Sequence, residues 1–76
     1  MKYIKYTKRK YYETWHSRSC GCVIYVFKLP NKNIYHFSVI CPDEFSYSSL
    51  EEQKLYNSFN ETDRAVEDWL DKNLRK

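Results

Sequence analysis

The sequence predicts an α+β fold: a small three-stranded antiparallel sheet built on a central β-hairpin, followed by one or two C-terminal helices packed on one face. Three observations predict it. Residues 20–29 (CGCVIYVFKL) and 34–41 (IYHFSVIC) are dense in β-branched and aromatic residues and flank a four-residue turn. Residues 61–74 (ETDRAVEDWLDKNL) instead place apolar side chains at helical spacing. Pro42 separates the two regimes.

Residues 2–9 fit either a strand or a mobile basic arm, the arm spanning 1–9. Residues 10–16 (KYYETWH) alternate as a third strand, with Tyr11, Glu13 and Trp15 on one side and Tyr12, Thr14 and His16 on the other. Residues 16–19 (HSRS) then read as the turn into the hairpin. Within the hairpin Pro30 closes the first strand, and Asn31 and Asn33 tolerate turn geometry. Symmetric folding about Asn31 and Lys32 sets Cys20, Cys22, Ile24 and Val26 opposite Phe37, Val39 and Cys41 as the core face. The opposite face then carries Val23, Tyr25, Phe27 and Leu29 against Ile34, His36, Ser38 and Ile40.

Beyond Pro42, Ser49 and Glu52 match a capping box, and Leu55 and Phe59 share one face of the helix expected to follow. Asn60 reads as a break and cap. The helix over 61–74 has acids in its first turn, and Lys72, Arg75 and Lys76 lie at its end, which suits the helix dipole. Its apolar stripe is Ala65, Val66, Trp69, Leu70 and Leu74.

Seventy-six residues suffice for a single domain, 1–76, and not for two. A chain this short buries roughly 60% of the surface its unfolded form exposes, so its core is thin and a deep cleft would remove scarce packing contacts. That weighs against catalysis, and the expectation is a non-enzymatic protein without cofactors or metal. Gly21, the single glycine, excludes the Gly-rich loops that cradle phosphates. No apolar run reaches signal-peptide or membrane-span length, so the chain is expected to be cytoplasmic, in the host cell if phage-encoded. The sequon at Asn60, Glu61 and Thr62 is read as chance. Abundant Lys, Tyr, Asn and Ile with few Gly and Ala suggest an AT-rich genome, that of a low-GC bacterium or its phage.

Cys20, Cys22 and Cys41 allow three states. Reduced thiols in the core are preferred, since free cysteine packs as a small apolar residue. A zinc site would need a fourth ligand such as His16 or Asp43, and the Cys-x-Cys spacing is narrower than usual. A Cys22–Cys41 disulfide runs against a reducing cytosol. His16 and His36 lack any surrounding nucleophile motif and read as a turn and a strand-surface histidine.

Charge divides the chain. Residues 1–42 hold eight Lys or Arg and one acid, whereas residues 43–76 hold five and nine. Two contact surfaces of opposite sign follow. The acidic helix, through Glu61, Asp63, Glu67, Asp68 and Asp71, can occupy a basic groove on a partner. The basic, tyrosine-rich segment with Lys5, Lys8, Arg9, Lys10, Tyr11 and Tyr12 can neutralise phosphates and stack on unpaired bases. Tyr25, Phe27 and His36 on the outer sheet face form a separate aromatic partner-binding surface and would add to the nucleic-acid platform. Each also has a plain structural reading, as a solvated helix face and a lysine-protected sheet edge.

An aromatic hairpin (CVIYVFKLPNKNIYHFSVI) followed by an acidic helix (ETDRAVEDWLDKNL) in so short a chain resembles, in type, small phage-encoded inhibitors, anti-CRISPR proteins among them. The resemblance implies a non-enzymatic inhibitor that binds a host protein or nucleoprotein effector and blocks its nucleic-acid or partner site. It would act as a monomer or small homo-oligomer, with no membrane involved. The basic N-terminus departs from the wholly acidic pattern of simple nucleic-acid mimics. The alternative is a small nucleic-acid-binding protein that uses the basic, aromatic arm.

Overall fold

A computed structural model describes residues 1–6, 13–43 and 45–75. Its elements are β1 (Ile4–Tyr6), β2 (Glu13–Ser19), β3 (Cys22–Lys28), β4 (Tyr35–Ile40), β5 (Ser46–Ser48) and α1 (Phe59–Asn73). The strands form one antiparallel meander in chain order, β1 to β5. The α+β class holds, but the sheet has five strands rather than three. The two additions are the three-residue edges β1 and β5: β1 falls in residues 2–9, where a strand is one of the two readings, and β5 is too short to show a period in sequence.

The β3–β4 register is the symmetric one, with Val23 opposite Ile40 and Val26 opposite Phe37. Leu29 donates its N–H to the Ile34 carbonyl at 2.9 Å, and Asn31 takes the left-handed conformation the turn demands. Cys22, Ile24, Val26, Phe37, Val39 and Cys41 are all buried, and Val66 and Leu70 of α1 seal them from above.

The turn before β3 is not HSRS. β2 continues through Ser19, and the reversal is the two-residue loop of Cys20 and Gly21, with φ of 55° and 76°. Two successive positive φ values match the right-handed twist of the flanking strands. The polar run was misleading because Ser17 sits in the ladder opposite Ile24. Cys20 is consequently exposed at the loop, not in the core.

Cys22 and Cys41 form a disulfide, with Cα atoms 4.3 Å apart, so the expectation of three reduced thiols is overturned. The register gives the reason. Leu29 and Ile34 exchange a ladder hydrogen bond, so by alternation Cys22 and Cys41 fall at a closely spaced pair without one. The Cys41 N–H goes instead to the Phe45 carbonyl, at 2.9 Å. Among the described residues, no three of His, Cys, Asp or Glu gather as metal ligands.

Residues 49–57 are not a helix, and Ser49 is not a cap. Ser49 donates its N–H to the Phe37 carbonyl at 2.9 Å, and its hydroxyl accepts the Phe37 N–H at 2.9 Å. Its own carbonyl accepts the Lys54 N–H at 2.8 Å, so the hydroxyl replaces it in the ladder where the chain leaves the sheet. Gln53 at φ 59° turns the chain, and Tyr56 pairs with Tyr35 as an isolated bridge. Leu55 is left exposed.

The helix begins two residues earlier than the sequence suggests. Ser58 is the N-cap, its hydroxyl accepting the Glu61 N–H at 3.1 Å, while Glu61 reaches back to the Asn57 N–H at 3.2 Å. Asn60 therefore lies in the first turn and breaks nothing. Thr62, Val66 and Leu70 form the buried line of α1. Trp69 stands beside that line, partly buried against Phe45 and Tyr47.

Candidate binding surface

Strand alternation and a single helix produce two unlike faces. On the covered face, Phe59 anchors a ring cluster with Tyr3 (5.2 Å), Trp15 (4.9 Å) and Tyr35 (6.2 Å). On the opposite face no described helix lies. Its rows follow from the pairing: Thr14, Phe27 and His36; then Ile4, His16, Tyr25, Ser38 and Ser48; then Arg18, Val23, Ile40 and Ser46.

Four rings on this face stack in sequence. His16 meets Tyr25 at 6.5 Å, Tyr25 meets Phe27 at 6.1 Å, and Phe27 meets His36 at 4.9 Å, with interplanar angles of 30° or less. Offset, near-parallel packing is a favoured arrangement for such pairs. Ile4 (67% exposed) and Ile40 (50% exposed) flank the ladder. This apolar, aromatic strip lies on a sheet face that no described helix covers, which makes it the candidate contact surface.

His36 ends the ladder differently from the other rings. It is buried, its Nδ1 has no hydrogen-bond partner, and that burial holds its pKa below the ordinary histidine value. The ring is thereby favoured in its neutral form, suited to stacking beside Phe27. Arg18 is exposed on the same face, and no described carboxylate shares it.

The acids lie elsewhere, and most are engaged. Glu61 closes the helix cap. Asp63 accepts the Tyr3 hydroxyl at 2.9 Å; burial first, then this bond, raise the Tyr3 pKa. Arg75 donates to Glu67 at 3.0 Å and to Asp71 at 3.3 Å. Asp68 is exposed and has no such partner among the described residues. Of the basic set, Lys5 bonds Glu13 at 2.8 Å and lies 5.4 Å from the Trp15 ring centre, on the covered side. Lys8, Arg9, Lys10, Tyr11 and Tyr12 lie outside the described residues. The structure thus brings Tyr25, Phe27 and His36 together and adds His16, Ile4 and Arg18, which the sequence reading had not joined to them. Once β2 runs to Ser19, the parity of His16 and Arg18 gives that placement.

The fold and this surface define a small five-stranded α+β protein with one open aromatic sheet face. No protein-family model matches the chain, and no curated protein or solved structure does either. No described helix is long and apolar enough to cross a membrane.

Proposed function

We propose that this chain is a non-enzymatic inhibitor that binds a host nucleoprotein effector through the outer face of its sheet and blocks that effector's nucleic-acid or partner site. The observation that carries the reading is the ring ladder from His16 to His36, on the sheet face that no described helix covers. Aromatic side chains are the commonest anchors at such interfaces. The absence of described carboxylates there, with Arg18 at one end, suits an anionic partner surface. The acidic helix recedes as a contact, because Glu61, Asp63, Glu67 and Asp71 already have local partners. The same charge distribution favours a second reading, direct binding of single-stranded nucleic acid.

Affinity capture with wild-type protein, a Tyr25→Ala/Arg18→Glu double variant and an Asp68→Lys variant tests both readings, with and without nuclease. An interface anchor is worth 2 kcal/mol or more on truncation, so the double variant is expected to bind about 30-fold more weakly or worse. Asp68→Lys is expected to bind as wild type. Capture that survives nuclease and depends on Tyr25 and Arg18 supports the first reading. Binding to a bare oligonucleotide with the same dependence supports the second. Retention by the double variant with loss by Asp68→Lys would return the contact to the helix and refute both.

A further inference from the structure

The three cysteines line one cavity, of about 540 Å³, together with Gly21, Pro42, Asp43, Phe45, Asn73 and Leu74. They are not equivalent within it. Cys22 and Cys41 are 4% and 7% exposed and are bonded to each other, whereas Cys20 is free and exposed. An external thiol has poor access to the bonded pair. It has open access to Cys20.

Cys20 is also tied to the rest of the fold. The Ser19 hydroxyl lies 3.6 Å from its sulfur, and the Cys22 sulfur lies 3.6 Å from its carbonyl oxygen. Arg75 donates to the Ser19 hydroxyl at 3.0 Å, which ties the loop to the residues after α1. Gly21 has nothing within 4 Å of the place a Cβ would occupy, which leaves the loop room to adjust.

We propose that Cys20 is the exchange thiol through which the buried Cys22–Cys41 disulfide is opened and closed. In the opening step the Cys20 thiolate attacks the Cys22 sulfur. A Cys20-to-Cys22 bond forms, the bond to Cys41 breaks, and its electron pair leaves on the Cys41 sulfur, which takes a proton from water. A small-molecule thiol entering the cavity then attacks the exposed Cys20 sulfur and forms a mixed disulfide, with Cys22 leaving as the thiolate. A second thiol molecule releases Cys20. Overall, two thiols become one disulfide and the protein disulfide becomes a dithiol, so the electrons balance with no other reactant. The reverse sequence, started by a small-molecule disulfide at Cys20, installs the crosslink.

The test follows native-state reduction by dithiothreitol, quenched with iodoacetamide and read by peptide mapping, for wild type and Cys20→Ser. Because Cys20 is exposed, the variant should keep the fold, which its melting temperature checks. Loss of the Cys22–Cys41 bond is expected to be about tenfold slower or more in Cys20→Ser, since exchange rates follow access to the attacked sulfur. Rates in denaturant, where all sulfurs are open, should be equal. In wild type, unreduced molecules are alkylated at Cys20 alone, and the first new alkylation should fall on Cys41, in molecules where Cys20 and Cys22 are joined. Equal native-state rates for the two proteins would overturn the proposal. So would Cys22 and Cys41 becoming alkylated together while Cys20 is never found bonded to Cys22.

Discussion

Ser49 gives the sharpest test of the loop that replaces the expected first helix. Its side chain is fully buried, and its hydroxyl is the acceptor for the Phe37 N–H at 2.9 Å. Ser49→Ala leaves that buried N–H without a partner, at a cost of about 1–3 kcal/mol. In a domain this small each kcal/mol lowers the melting temperature by roughly 4–8 °C. An N-cap serine would cost a similar amount on changing to alanine but only a few tenths of a kcal/mol on changing to glycine. Ser49→Gly therefore separates the two roles, and it should destabilise at least as much as Ser49→Ala. Thermal unfolding by circular dichroism reads the difference, with Ser58→Gly, at the true cap, as the mild control. A Ser49→Gly protein melting within a couple of degrees of wild type refutes the ladder role. Fast hydrogen exchange at Phe37 in Ser49→Ala is the matching local signature.

Three further outcomes are expected. Leu70→Ala, at the centre of the helix–sheet contact, should cost about 2–5 kcal/mol, whereas the exposed Leu55→Ala should stay within about 0.5 kcal/mol, both by chemical denaturation. Replacing Cys22 and Cys41 together with alanine removes a crosslink of sequence separation 19 and should cost about 3 kcal/mol in the chain-entropy account; an unchanged denaturation midpoint would count against a formed disulfide. His36 has a folded pKa below its unfolded value near 6.5, so the unfolded chain binds more protons in the window beneath that value. Stability should be undiminished above about 6.5, fall as pH drops toward the folded pKa, and level off below it. His36→Phe should flatten that part of the pH–stability curve.

The hairpin was readable because two signals agreed. Alternation with period two fixed the faces, and the proline–asparagine turn fixed the register that sets Cys22 opposite Cys41. Where signals competed, the reading erred. The pattern Ser-x-x-Glu occurs at Ser49 and again at Ser58, and only the second caps a helix. The difference lies downstream: Thr62, Val66 and Leu70 recur four apart after Ser58, but nothing comparable follows Ser49. The polar stretch from His16 to Ser19 looked like loop, yet the two-residue reversal fell on the sole glycine and the residue before it. Backbone conformation outweighed polarity there. The redox compartment is not written in the sequence, whereas the register alone, continued past Val23 and Ile40, sets Cys22 opposite Cys41.

Charge separated along the chain becomes charge separated between faces, and this joins the fold to the proposed function. The described acids of the second half come from the loops flanking β5 and from α1, and α1 can pack only on the apolar face bearing Ile24, Val26 and Val39. Its carboxylates are thereby carried to that side, where Arg75 and Tyr3 engage several of them. Among the described residues the outer face is built from strand residues, and those strands hold a single acid, Glu13. Glu13 has the parity of Trp15 and points with it to the covered side, held by Lys5 and Lys28. The open face is therefore aromatic and free of described carboxylates through strand parity and helix placement together. On the proposed reading, the described residues of the ladder face would repel a polyanionic surface less than the acidic helix does, which would orient the encounter before any contact forms.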